Sequence, residues 1–411
     1  MIAEFSVQNF HSIREEQTLS FIANNDELMA DEYCHEVAPD VSLLKIGIVY
    51  GANASGKSNI LKALQFFNGI VCNMPVAKTD KIQYSRFLMD NHSPEEHSRM
   101  SMVFYLEREK YVLTVEFDND RIYRESLSVY ASKKPTMLYS REYNAEKDTS
   151  EVVFNPALKL QKQSQGVIAG NTINNSTVLA AFGRSNVPSS RLNFVYDFFS
   201  GHVADMLTPS ISLSDLTKTR LKEDRDGKLK LFLLRFLKAS DFNISDIKLW
   251  NAPSVSSSEI LFLHQTDNGA YELGEALESS GTIRYMGIAV LLSNLVNGNL
   301  FMSIDEIETS LHYELVSYFI KAFLANSEGT SQMLFTTHDI NLLNENFIRR
   351  DVVWFTYKDS EGATELTRLS NMGLRKSLSP YHAYMQGKLI PMPFIASPYF
   401  ELNINTYEKE K

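Results

Sequence analysis

The hydrophobic pattern of the N-terminal region predicts two strands, a loop and a strand–helix pair. Apolar and polar residues alternate over 2–10, which predicts a half-buried strand, and a second strand is predicted near 18–22. The polar stretch 24–40 is predicted to be a loop. A buried strand over 46–50 then precedes an amphipathic helix. That helix is predicted from apolar residues at helical spacing, Ile60, Leu61, Leu64, Phe67 and Ile70.

Short segments rich in β-branched and aromatic residues predict an antiparallel meander between residues 82 and 143. Its strands are predicted at 102–106, 111–117, 122–130 and 137–141. The sequence Asp118-Asn119-Asp120 is compatible with a metal site, but we favour a hairpin tip, since Asp and Asn are common turn residues. The Gln/Asn-rich stretch 159–175 is expected to be partly mobile.

The second half of the chain again alternates helical and strand patterns. Helices are predicted over 190–206, 221–237 and 284–295, and the charges at 222–226 are assigned to a solvated face. The remaining predictions are strands over 242–249, 259–264, 300–304 and 332–337, with a serine-rich loop at 254–258.

Composition narrows the class of protein. The 411 residues are 44% hydrophobic and 22% charged, as in a soluble globular protein. A net charge of −10 argues against a protein that coats nucleic acid by bulk charge, although it does not exclude a local basic groove. Cys34 and Cys72 are too few for a disulfide framework or a zinc pattern. No signal peptide and no membrane-length apolar run is visible, so we expect a cytoplasmic protein without a membrane segment.

One motif in this pattern carries chemistry by itself. The sequence from 51 to 58 fits the phosphate-loop pattern G-x-x-x-x-G-K-[ST], and it lies between a predicted strand and a predicted helix. The alternative is a glycine loop that matches the pattern by chance. It is disfavoured because the motif lies between a strand and a helix, as a phosphate loop does. Lys57 would reach the β- and γ-phosphates of ATP, and Ser58 would bind Mg²⁺. The predicted nucleotide-binding residues are Gly51, Ala52, Asn53, Ala54, Ser55, Gly56, Lys57, Ser58 and Asn59.

Two further strands end in polar residues suited to a phosphate site. The strand over 300–304 ends in Asp305-Glu306; Asp305 would hold the metal, and Glu306 would act as general base towards water. The strand over 332–337 ends in His338, which would contact the γ-phosphate. Taken alone, the acidic pair would be an ordinary strand end. The histidine, taken alone, would be a structural side chain. The predicted catalytic residues are therefore Glu306, His338 and Lys57.

A small polar turn opens the apolar helix over 284–295. Its sequence, Glu278-Ser279-Ser280-Gly281-Thr282, is suited to binding an anion at a helix N-terminus, and by itself it would be an ordinary helix cap. We call Ser279 to Thr282 the signature-like turn. It adds Ser279, Ser280, Gly281 and Thr282 to the predicted nucleotide-binding residues.

The order of these motifs resembles the ABC-type ATPases of the SMC, Rad50 and RecF group, and above all their standalone AAA15-like and OLD-like branch. The resemblance covers nearly the whole chain. The residues that carry it are Asn9-Phe10-x-Ser12-Ile13, GANASGKS at 51–58, ESSGT at 278–282, SIDEIETSLH at 303–312, FTTHD at 335–339 and the stretch 381–391 with Tyr384, Gly387 and Pro391.

The resemblance implies an α/β fold: an ABC-type ATPase head with a mixed or antiparallel β subdomain, a parallel phosphate-loop sheet and a short helical insertion. It implies an N-terminal lobe at 1–189, the insertion at 190–258 and a C-terminal lobe at 259–411. It also implies that ATP binds between two copies, with the signature-like turn completing the partner's site, and that Ser310-Leu311-His312 communicates across this homodimer or higher homo-oligomer. Gln83 is the candidate for the glutamine that senses Mg²⁺.

Three classes of function remain at this point. Similarity to the ATPase subunits of the PARIS, Septu and retron-associated systems implies an anti-phage sensor with a separate nuclease or toxin effector and a nucleic-acid or phage-protein trigger. The alternative is a RecF- or SMC-like DNA-repair clamp, against which the acidic balance weighs. A GTPase switch is disfavoured because no Asn-Lys-x-Asp sequence is present.

Overall fold

The fold is described from a computed structural model, which covers residues 1–131, 134–240, 242–251, 258–375 and 378–391. The strands in the first part of the chain are β1 (Ile2–Gln8), β2 (Gln17–Ser20), β3 (Cys34–Ala38), β4 (Val41–Leu44), β5 (Ile46–Gly51), β6 (Ser98–Leu106), β7 (Glu109–Phe117), β8 (Ile122–Tyr130), β9 (Thr136–Asn144) and β10 (Thr149–Phe154). Those in the second part are β11 (Asp246–Asn251), β12 (Ser258–Thr266), β13 (Gly269–Gly274), β14 (Phe301–Ile304), β15 (Gln332–Thr337), β16 (Val353–Lys358) and β17 (Thr364–Arg368).

The α-helices connect and cover these strands. They are α1 (Ala30–Tyr33), α2 (Lys57–Cys72), α3 (Lys162–Asn171), α4 (Val178–Gly183), α5 (Ser190–Asp197), α6 (Leu213–Glu223), α7 (Lys228–Ala239), α8 (Ser280–Asn297), α9 (Tyr313–Asn326) and α10 (Pro380–Met385). A π-helical turn, Phe198–His202, follows α5. In the part of the chain that the structure describes, no helix combines the length and apolar character needed to cross a bilayer.

The core sheet is mostly parallel and has the order β14-β15-β5-β16-β17. Its first four strands are parallel, and β17 returns antiparallel to β16. Every residue of β5, β14 and β15 is buried. That burial on both faces is typical of parallel sheets, which helices cover on each side. The prediction of an α/β fold with a phosphate-loop parallel sheet is confirmed.

A second, antiparallel sheet has the order β10-β9-β8-β7-β6-β1-β2. It includes the predicted meander and a strand that the sequence did not predict, β10. It packs on α2 through aromatic side chains: the ring centroids of Phe5 and Phe67 lie 5.7 Å apart in an edge-to-face contact. At the β7–β8 turn, Asp118 Oδ1 accepts hydrogen bonds from the backbone N–H groups of Asp120 and Arg121. The hairpin-tip interpretation of this sequence is therefore confirmed.

The insertion consists of α5, α6 and α7, followed by an antiparallel sheet of order β11-β12-β13. Both α6 and α7 pack on α8. The boundary predicted at residue 258 falls between β11 and β12 of this one sheet, and the division into three parts stays a prediction. Of the predicted loop at 254–258, residues 254–257 lie outside the described residues, and Ser258 begins β12.

Two stretches are more ordered than predicted. The stretch 24–40 contains α1 and β3, because Arg349 Nη1 donates to the carbonyls of Asp26 (2.6 Å) and Leu28 (3.0 Å). The stretch 159–175 contains α3, whose Ile168 is fully buried and which packs on α4 and β10. The stretch 24–40 is thus organised by a residue far away in sequence, and the stretch 159–175 by elements on either side of it.

Two helix predictions were too long. The predicted helix over 190–206 ends as α5 at Asp197, and the π-helical turn directs Phe198 onto Phe104, with ring centroids 5.0 Å apart. The predicted helix over 221–237 is broken at Gly227, whose φ is 69°. Asp224 accepts hydrogen bonds from the N–H groups of Leu229 and Lys230 and thereby begins α7.

Candidate active site

Three neighbouring parallel strands end at the same edge of the core sheet and bring the predicted site together. The phosphate loop follows β5, Asp305 and Glu306 follow β14, and His338 follows β15, which lies between the other two. Carboxyl ends of adjacent parallel strands are where ligands bind in open α/β sheets. Residues about 250 positions apart in sequence thus face one cavity.

The phosphate loop has the backbone geometry that its glycines allow. Gly56 has a φ of 103° and is the residue before α2, so the N-terminal N–H groups of that helix face the loop. A side chain at Gly56 would collide with Thr364 of β17, and one at Gly51 would collide with Ser55 and Thr356. The loop is therefore held tightly against the β16–β17 hairpin.

Lys57 is almost fully buried, with an exposed fraction of 5%. Its Nζ donates to the carbonyls of Gly51 (2.8 Å) and Ala52 (3.1 Å) and lies 3.3 Å from His338 Nδ1. Burial lowers the pKa of this ammonium group, while the nearby Glu306 and Asp305 carboxylates oppose that shift. Neutral acceptors thus surround a buried cation at the base of the cavity.

Ser58, Asp305 and Thr336 form a chain of hydrogen bonds. Ser58 Oγ donates to Asp305 Oδ1 at 2.9 Å, and Thr336 Oγ1 donates to the same oxygen at 2.7 Å. Thr336 Oγ1 also accepts from the N–H of Glu306 at 2.8 Å. One threonine of β15 therefore fixes the Asp305 carboxylate and the backbone of Glu306 at the end of β14.

Glu306 is the more exposed of the two acidic residues. Its side chain is 41% exposed, and Oε1 lies 3.5 Å from His338 Nε2. Its φ of 49° is in the left-handed region, which a glutamate adopts only when its surroundings compensate the strain. The carboxylate faces the cavity and has water access, as a general base needs.

The cavity at the loop has a volume of about 520 Å³. The predicted residues that line it are Asn53, Ala54, Ser55, Gly56, Lys57, Ser58, Asn59, Glu306 and His338. Ser12 and Lys358 line it too, and neither was predicted as a site residue. Ser12 lies in the Asn9-Phe10-x-Ser12-Ile13 motif, which could have indicated it, and Asn59 Nδ2 donates to its hydroxyl at 2.7 Å. For Lys358 the sequence offers no signal.

Gln83 and the signature-like turn do not line this cavity. Gln83 is exposed, and its amide donates to the carbonyl of Lys81 at 3.4 Å. Ser279 caps α8 by accepting a hydrogen bond from the N–H of Thr282 at 3.0 Å. The structure therefore does not bring Gln83 or the turn to the phosphate loop of the same chain, and their roles stay predictions.

The donor set fits a nucleotide with Mg²⁺. Mg²⁺ prefers hard oxygen ligands, and Ser58 and Asp305 present a hydroxyl and a carboxylate side by side, with 2.9 Å between their oxygens. The loop and the start of α2 supply backbone N–H groups for phosphate oxygens. These residues are thus chemically suited to both groups.

A family model described as "AAA domain, putative AbiEii toxin, Type IV TA system" matches residues 48–344, which is more than half of the chain. The chain belongs to this AAA domain family. The matched part of the AAA domain includes the phosphate loop, the signature-like turn and the ends of β14 and β15. Membership in this family supports an ATP-binding ATPase of the AAA type. No curated protein matches the chain.

Among solved structures, two SMC heads are similar to this AAA domain protein. The SMC head domain from Thermotoga maritima is 12% identical, with a TM-score of 0.43, and the match covers 89% of this chain and 98% of that one. An SMC head bound to the C-terminal winged-helix domain of ScpA is also 12% identical, with a TM-score of 0.46 and coverage of 93% and 99%.

Gly56→Ala should weaken nucleotide binding, because the added methyl group collides with Thr364 and the φ of 103° is unfavourable for alanine. We expect affinity for ATP to fall by at least about tenfold, measured by calorimetry. Gly69→Ala is the matched control, since Gly69 lies within α2 with open space around it. That variant should bind ATP normally and gain about 0.5–1 kcal/mol of stability. Wild-type affinity in Gly56→Ala would contradict the described loop geometry.

Proposed function

We propose that this AAA domain protein hydrolyses ATP and uses the cycle of binding and hydrolysis as a dimerising switch. The observation that supports this best is the meeting of three strand ends, where Ser58 and Asp305 share a hydrogen bond of 2.9 Å and Glu306 faces the same cavity. A module that only binds a nucleotide does not require a water-accessible carboxylate positioned in this way.

In the proposed reaction, water attacks the γ-phosphorus, and Glu306 accepts the proton that the water loses. The new P–O bond forms as the bond from the γ-phosphorus to the bridging oxygen of ADP breaks. Lys57 contacts the β- and γ-phosphates, and His338 contacts the γ-phosphate. Ser58 and Asp305 would hold Mg²⁺, which neutralises phosphate charge when bound.

Glu306→Gln tests the assignment of the base. We expect the rate of ATP hydrolysis to fall by about 100-fold or more, because the amide cannot accept the proton. ATP affinity should be retained, and the ATP-bound assembly should accumulate in size-exclusion chromatography. Lys57→Ala should instead lose ATP binding. If Glu306→Gln hydrolyses ATP at the wild-type rate, another group is the base.

The second part of the proposal is that the active site is composite. In each chain the signature-like turn lies outside the cavity of its own phosphate loop, and Ser279 and Ser280 are exposed. An exposed helix start with serine hydroxyls and N–H groups is suited to contacting the γ-phosphate held by another copy. ATP would then bridge a symmetric homodimer, and hydrolysis would release it.

Mixing two inactive variants tests this arrangement. Lys57→Ala and Ser280→Arg should each be inactive alone, since one lacks the phosphate-binding lysine and the other blocks the turn. Their equimolar mixture should recover about a quarter of the wild-type rate, because half of the dimers are mixed and each has one intact site. Lys57→Ala mixed with Glu306→Gln is the control and should stay inactive. A mixture that stays inactive although heterodimers form would refute the composite site.

We further propose a role in bacterial anti-phage defence together with a separate effector. The resemblance to ATPase subunits of the PARIS and Septu systems supports this, and so does a family description that names a type IV toxin–antitoxin system. The ATPase lobes at 1–189 and 259–411 would act as the sensor, triggered by a nucleic acid or a phage protein. A nuclease or toxin encoded nearby would act as the effector.

Phage challenge tests the defence role. Cells that carry this gene with its neighbouring genes should plate phage less efficiently than cells without them. Lys57→Ala should restore plating, because the switch no longer binds ATP, whereas Gly69→Ala should remain protective. Equal plating with and without the wild-type gene, over a broad phage panel, would contradict the defence role and leave the ATPase assignment intact.

A further inference from the structure

Lys358 lines the nucleotide cavity but belongs to neither the phosphate loop nor the hydrolytic residues. It is the last residue of β16, and its side chain is half-buried. Its Nζ donates to the carbonyl of Gly362 at 2.8 Å and to Thr364 Oγ1 at 3.0 Å. An ammonium group has three N–H donors, so these bonds leave one donor for a ligand in the cavity.

The groups that contact the Lys358 ammonium are a carbonyl and a hydroxyl, which carry no charge. Among the described residues, no carboxylate lies within 4.0 Å of Nζ. The neighbouring Asp359 carboxylate instead contacts Arg14 and the N–H groups of Glu361 and Ala363. Burial lowers the pKa of Lys358, with Asp359 opposing that shift. A partly desolvated ammonium group without a counter-ion is stabilised by an anion that enters the cavity.

The order of the core sheet determines at which end of the nucleotide this charge lies. Glu306 and His338 follow β14 and β15, on one side of β5, whereas Lys358 follows β16 on the other side. Hydrolysis takes place at the γ-phosphate, so the side with Glu306 is the γ end. In the proposed function the rest of the phosphate chain would extend towards the β16 side, where Lys358 and Ser12 line the cavity.

The contacts of the hairpin fix Lys358 relative to the phosphate loop. Thr364 Oγ1 donates to the carbonyl of Ser55 at 3.0 Å and also bonds to Ser12 Oγ at 2.7 Å. Because Lys358 Nζ bonds to this same hydroxyl, the ammonium group, the loop and Ser12 form one connected set. The lysine is thereby held beside the loop instead of extending into solvent.

We propose that Lys358 is a second phosphate-binding lysine, which contacts the nucleotide at the α-phosphate end and so binds ATP and ADP alike. The proposal rests on the proposed ATPase function. Lys57 and Lys358 together place two positive charges around a ligand that carries three or four negative charges. Since its contact persists after the γ-phosphate leaves, Lys358 would retain ADP and delay its exchange.

Lys358→Met removes the charge and keeps most of the side-chain length. We expect Kd for ATP and for ADP to rise by a similar factor of about tenfold or more, measured by calorimetry. Lys358→Arg should retain most of the affinity for both nucleotides. Lys238→Met, at an exposed position of α7, is the matched control and should change neither Kd.

The outcomes separate the alternatives. Unchanged Kd values in Lys358→Met would overturn the proposal, and weaker binding of ATP alone would place the lysine at the γ end, which also overturns it. Should Lys358→Met fail to fold, amine-reactive labelling of the wild-type protein decides: saturating ADP should protect Lys358 several-fold and leave Lys238 unprotected. Equal labelling of Lys358 with and without ADP would refute the contact. Failure of the wild-type protein to bind any nucleotide would instead refute the proposed function.

Discussion

The site depends on one constraint: β14, β15 and β5 must lie parallel and adjacent, so that their carboxyl ends meet at one edge of the sheet. Thr336 of β15 makes the dependence concrete, since its hydroxyl donates to Asp305 and accepts from the N–H of Glu306. A shift of β14 by one residue would turn these side chains to the opposite face. The three strands are buried along their whole length, so such a shift would require close-packed side chains on both faces of the sheet to be repacked.

The sequence predicted those parts of the site whose signal is local. The phosphate loop has a fixed pattern with a strand before it and a helix after it, and Asp305, Glu306 and His338 directly follow apolar runs. The place of Lys358 in the cavity and the ordered structure of residues 24–40 could not be predicted in this way. Lys358 reaches the loop only because β16 lies beside β5, and Arg349 bonds to carbonyls more than 320 residues earlier in the chain. Such contacts leave no local pattern, since a lysine and a polar stretch look the same with or without a distant partner.

The signature-like turn is supported by parts of the chain outside the core sheet. Glu275, just before the turn, is held by Lys218 at 2.6 Å and by Ser214 at 2.8 Å, both on α6. Glu278 has a side chain only 8% exposed and accepts from His264 of β12 at 2.5 Å. The insertion and its small sheet therefore set the position of the turn. In a composite site, they would determine how well one copy closes the other copy's site, although they lie far from the cavity in sequence.

The two cavity lysines, Lys57 and Lys358, would bind different parts of the nucleotide, which suits a switch between an ATP state and an ADP state. Lys57 bonds to the loop carbonyls and approaches His338; in the proposed reaction its charge would act on the β- and γ-phosphates, and ADP lacks the γ-phosphate. Lys358 lies on the other side of β5 and lines the same cavity; in the proposed arrangement it would face the part of the nucleotide that ATP and ADP share. In this arrangement a change from ATP to ADP would alter the contacts at Glu306, His338 and Lys57, while the contacts near Ser12 and Lys358 would persist. The free energy that separates the two states would then be concentrated at the edge where the partner's turn would enter, which is where the proposed dimerising switch requires it.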